Sequence, residues 1–107
     1  MTMALFSTTP DKVQKWIDQG NAKKLIGALT STDAVVRRMS VEGLARIGGD
    51  DVLDYCRKNI HNQNDTVRWD VTKILGLMGT PEAIKLMGAM GDPTQIIRDK
   101  VKNEKGE

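Results

Sequence analysis

The chain has 107 residues, with 16 Lys and Arg against 14 Asp and Glu, a formal charge of +2 and 4% aromatic residues. That is the length of one modest domain, too close to charge balance to point to a polyanion as its partner. A single cysteine, Cys56, and a single histidine, His61, exclude a disulfide framework and a Cys/His zinc set and fit a reducing, cytoplasmic setting. The opening MTMALF has no positively charged start, and its apolar run is too short for a signal peptide or a membrane span.

Apolar residues recur at helical spacing almost throughout, and alternation of period two is absent, so the fold class is all-α. Thr9-Pro10-Asp11 starts the first helix, over 10–19. It offers a capping hydroxyl, a proline where no N–H is needed and an acid beside the positive helix end. This helix puts Val13, Trp16 and Ile17 on one face and closes the N-terminal end of the core, and Gly20 stops it.

From there the sequence repeats. VVRRMSVEGLARIG (35–48) aligns with TVRWDVTKILGLMG (66–79) at a constant offset of 31, setting Val36 on Val67, Arg37 on Arg68, Leu44 on Leu75 and Gly48 on Gly79. The preceding helices keep the register, with Ala22, Leu25 and Leu29 falling on Leu53, Cys56 and Ile60. A further offset of 30 carries these onto Ala83, Leu86 and Met90, and carries Arg68 onto Arg98. Asp33, Asn64 and Thr94 each stand four residues before the recurring Arg as caps, and Thr80-Pro81-Glu82 and Asp92-Pro93 start later helices. The reading is a single domain over 1–107, with an N-terminal helix and then three pairs of antiparallel helices at about 21–48, 50–79 and 81–104. The two helices of a pair run to about 10 and 14 residues as judged from the caps. One pair cannot bury its apolar faces alone, so the pairs stack as a short α-solenoid. The last helix reaches Val101 and ends in the polar KNEKGE, a terminal cap.

Asp33 with Val36-Arg37, the Leu44 to Gly48 ending, and the same frame at Asn64, Val67-Arg68 and Leu75 to Gly79 resemble HEAT-like repeats of the short-period kind named after phycobilisome lyase subunits. The opening is similar to that of small bacterial members. The resemblance implies a right-handed solenoid of helical hairpins with an N-terminal capping helix, whose inner surface, lined by the second helices, binds a protein partner. It also implies that the recurring Arg37, Arg68 and Arg98 pair with acids or carbonyls between units.

On the second helix of the middle unit, about 100° per residue places Val67, Val71, Ile74, Leu75 and Met78 within an arc of about 100°. Trp69 falls opposite its centre. It is either displayed to a partner or laid over an inter-repeat seam. The register names its companions as Arg38 and Asp99 at the same position and Glu42 and Lys73 one turn later. An aromatic flanked by charge has the composition of a protein-binding hot spot, or of an Arg38–Trp69 cation–π tie. Arg38, Glu42, Trp69, Lys73 and Asp99 are therefore the expected partner-binding residues.

Lys23, Lys24, Arg57, Lys58, Lys100, Lys102 and Lys105 are interleaved with Asp50, Asp51, Asp54, Glu104 and Glu107, which reads as solvated helix faces more than a phosphate-contacting stripe. Met39, Met78 and Met90 align with apolar core positions, whereas Met87 aligns with Ile26 and Arg57. With Ile96 and Ile97, Met87 offers a patch for weak self-association at the C-terminal end of the array. His61 and Asn62 supply no metal-hydroxylase pair, and no nucleophile–base set or paired carboxylates assemble, so no enzyme, cofactor or metal is expected. Cys56, on the register of Leu25 and Leu86, reads as a small core residue. The leading expectation is a non-catalytic protein-interaction scaffold. An accessory or lyase-type subunit for a tetrapyrrole-bearing protein, implied by the family name alone, comes second, and nucleic-acid binding third.

Overall fold

The computed structural model describes residues 8–91, and every regular element among them is a helix. In chain order these are α1 (Pro10–Asp18), α2 (Ala22–Ala28), α3 (Ala34–Ile47), α4 (Gly49–Asn59), α5 (Asp65–Met78) and α6 (Pro81–Ala89). The MTMALF opening, the Asp92-Pro93 start, the second helix of the third repeat with Arg98, Asp99 and Val101, and the KNEKGE end lie outside the described residues. The helices gather into two compact units, Met1–Ile47 and Gly48–Glu107.

The caps form where the side-chain chemistry asks for them. Thr9 Oγ1 accepts from Lys12 N at 3.3 Å and Thr80 Oγ1 from Ala83 N at 3.2 Å, each with proline in the first turn. Asn21 caps α2, and Asp33 and Asn64 take the same place before α3 and α5. The two second helices come out 14 residues long each. The first helices are more variable, at 7, 11 and 9 residues for α2, α4 and α6. Gly79 closes α5 at φ 63°, its N–H bonded to the Leu75 carbonyl, a left-handed cap that residues with a Cβ rarely take.

In the first unit α1 packs on both α2 and α3, and α2 on α3. Val13, Leu25, Val36, Val41 and Leu44 are sealed from solvent between them. The buried Ser40 hydroxyl satisfies itself by donating to the Val36 carbonyl at 2.7 Å. Gly43 is the point of closest approach. A Cβ there would stand 2.6 Å from Ile17 Cγ1 and 2.8 Å from Cδ1, so α1 seats its isoleucine where α3 has no side chain. In the second unit α4, α5 and α6 pack on one another, burying Val52, Cys56, Val71, Ile74, Leu75 and Ala83. Val67 and Met78, the first and last residues of the expected core arc in chain order, are half-buried.

Candidate functional site

The candidate residues sit on the solvent-facing sides of α3 and α5. On α3, Arg38 and Glu42 are exposed and one turn apart, with Nε and Oε1 separated by 3.9 Å. Such a pair is loosely held and screened, and it leaves both side chains available. On α5, Trp69 and Lys73 are half-buried, and the Lys73 ammonium stands 5.9 Å from the centroid of the Trp69 ring. The cation over the indole is thus the residue one turn later on the same helix. The i,i+4 spacing that places Glu42 beside Arg38 also places Lys73 over Trp69. Asp99 lies outside the described residues.

One residue of this face was missed from sequence. Leu77, another turn along α5 from Lys73, is 60% exposed, so Trp69, Lys73 and Leu77 follow one another at i, i+4 and i+8. Leu77 is more open than Trp69, as is Ile84 on α6 at 55%. The signal was present in the register. Leu77 stands on Arg46, and Ile84 on Asp54 and Lys23, which shows that both positions accept charge. Met87 is half-buried, and its methyl is the neighbour that a Cβ at Gly76 would meet among the described residues, 4.0 Å away, so Met87 lies near α5. Ile96 and Ile97, the rest of the expected self-association patch, lie outside the described residues.

The recurring arginines have local partners. Arg37 Nη1 donates to the Ser31 carbonyl at 2.8 Å, and Arg68 Nη1 donates to the Asn62 carbonyl at 2.8 Å. Each folds back six residues onto the turn before its own helix, with Arg68 reaching Gln63 as well at 3.3 Å. These bonds lie within a repeat, where the resemblance implied pairing between units. A charged donor on an orphan turn carbonyl fixes the entry to the second helix.

Two groups with raised pKa lie in α4. Burial pushes the Cys56 thiol up from 9.0 to about 11, which keeps it protonated and inert at neutral pH. The Tyr55 phenol is pushed to about 12 by burial first, then by the Asp70 carboxylate and by Cys56. Among the described residues no helix is long and apolar enough to cross a membrane.

The family model for HEAT repeats matches residues 22–102, which takes in the second and third repeats as well as the first. No curated protein and no solved structure matches the chain.

Proposed function

The chain belongs to the HEAT repeats family, whose members generally mediate protein–protein interaction, and from that premise we propose that it is a non-catalytic protein-binding module whose contact surface is carried by its second helices. The observation that supports this is the outer face of α5, where Trp69 is half-open under the Lys73 ammonium and Leu77 stands 60% exposed beyond it. Aromatic and aliphatic surface bordered by charge, on a rigid helix, is the make-up of an interface centre with its polar rim. Arg38 and Glu42 are exposed at the matching positions of α3 in the other unit, and Asp99 has the register position of Trp69 in the sequence.

Affinity capture with the full chain tests the reading. Trp69→Ala is expected to weaken the captured complex by tenfold or more, in keeping with a central aromatic anchor. Leu77→Ala is expected to weaken it by a smaller factor. Capture of the same partners at unchanged strength by both variants overturns the assignment of this face.

A further inference from the structure

A small cleft opens within the first unit between α1 and α3. It is lined by Gln14, Ile17, Met39, Glu42, Gly43 and Arg46 and holds about 160 Å³. Its floor is apolar, made by the half-buried Ile17 and Met39 and the bare backbone of Gly43. Small-molecule and cofactor sites start at about 300 Å³, so this volume suits one side chain inserted from another protein. Interface anchors fill pockets in this way.

The charges at the mouth are not equally available. The Glu42 carboxylate already faces Arg38. The Gln14 amide donates to Asp18 Oδ1 at 2.9 Å. Arg46 has no side-chain hydrogen bond or ion pair among the described residues, so a planar cation with a fork of donors is left over. Arg46 is three residues beyond Gly43, a helix rise of about 4.5 Å. Arg46 itself lines the cleft, so a carboxylate next to the inserted side chain lies within reach of its guanidinium.

We infer that this cleft anchors an acidic peptide segment of the partner protein. A Leu-sized or Met-sized side chain enters between Ile17, Met39 and Gly43, and the carboxylate of an adjoining Asp or Glu is held by Arg46. The inference rests on the protein-binding reading above and adds the chemistry of the partner segment that the first unit would take.

The test uses the full chain, labelled with ¹⁵N, and three capped hexapeptides identical except for a central Leu-Asp, Leu-Asn or Leu-Lys. The Leu-Asp peptide is expected to shift the Gly43 amide and Arg46 side-chain resonances saturably, to bind at least tenfold more tightly than the Leu-Lys peptide, and to weaken with added salt. Arg46→Gln, an exposed substitution that leaves the fold intact, is expected to remove the preference for Asp over Asn. Trp69→Ala is expected to leave all the peptide shifts unchanged.

Absence of shifts at Gly43 and Arg46, tighter binding of the Leu-Lys peptide, or an Asp preference that survives Arg46→Gln overturns the inference. Partner capture separates the two readings. If Trp69→Ala loses the partners and Arg46→Gln keeps them at full strength, the cleft assignment falls and the module stands; if neither variant loses them, both fall.

Discussion

Helices α3 and α5 are 31 positions apart in one register, and they solve the same packing problem differently. Both bury the central positions of one face, and both begin from a capped turn whose carbonyl is held by the recurring arginine. At one shared buried position, however, α3 has Gly43 and α5 has Ile74. In the first unit α1 supplies the missing volume through Ile17. In the second unit the side chain is the helix's own. On the outer face the order reverses: α3 carries Arg38, Glu42 and Arg46, whereas α5 carries Trp69, Lys73 and Leu77. A solenoid repeat thus fixes which positions are buried, and the identity of neighbouring helices decides who fills them.

The largest effect is expected from Ile74→Ala, which empties a fully buried site on α5 and should cost about 2–5 kcal/mol in denaturant unfolding. A loss under about 1 kcal/mol would show that Ile74 is not the counterpart of the Ile17 plug. Gly43→Ala attacks the same position on α3 from the opposite direction. Helix propensity alone favours alanine by about 1 kcal/mol. The added Cβ would stand 2.6 Å from Ile17 Cγ1, and the overpacking is expected to win by about 1–3 kcal/mol. Ile17→Ala in the same chain should make the Gly43→Ala step less costly than it is alone, and simple additivity of the two would remove α1 from the explanation.

The first helices differ as well, because Leu25 in α2 cannot ionise and its counterpart in α4 is Cys56. The Cys56 thiol is raised in the folded state, so its contribution is fully present below pH 9 and fades as the pH rises from about 9 to about 11. The loss across that window is on the order of 2 kcal/mol. Tyr55 extends the decline toward pH 12. Cys56→Ala, at some cost in packing at all pH values, should flatten the part of the pH–stability curve between 9 and 11. A curve of unchanged steepness would mean that other groups cause the alkaline decline.

How much of this the sequence disclosed follows how far each feature reaches along the chain. The caps at Thr9, Asn64 and Thr80 and the αL end at Gly79 need only three or four neighbouring residues, and they are placed as read. The 31-residue register located Val36, Leu44, Val71 and Leu75 in the core because one helical face must be buried in every repeat. Lys73 over Trp69 is a one-turn contact, and the register named Lys73 one turn after Trp69. The cleft at Gly43 was not legible, because it depends on where α1 lies against α3, 26 positions from Ile17 to Gly43. Leu77 was legible through Arg46 and was overlooked, since leucine in an amphipathic helix reads as core.

A smaller effect of opposite sign is expected one position before Leu77. Gly76 is exposed, and its counterpart on α3 is Ala45. Among the described residues, a Cβ there would meet only the Met87 methyl at 4.0 Å, an ordinary contact. Gly76→Ala should therefore stabilise the chain by about 0.5–1 kcal/mol, the sign opposite to Gly43→Ala, as a rise in the unfolding midpoint. A destabilised variant would show that the α5 backbone is approached there by something other than Met87.

The smallest expected effect on stability comes from Leu77→Arg, which copies Arg46 onto α5. Arginine and leucine have similar helix propensity, and the side chain is 60% exposed, so the change should stay within about 0.5 kcal/mol. It should even lean toward stabilisation, because α3 has a basic residue in its last turn and α5 has none. The measurement is an unfolding midpoint beside a capture assay on the same variant. A fall of more than about 1 kcal/mol would mean that Leu77 is packed within the chain. Unchanged stability with weakened capture would mean that the leucine serves no need of folding, and that a position where charge folds equally well keeps an apolar side chain because a partner covers it.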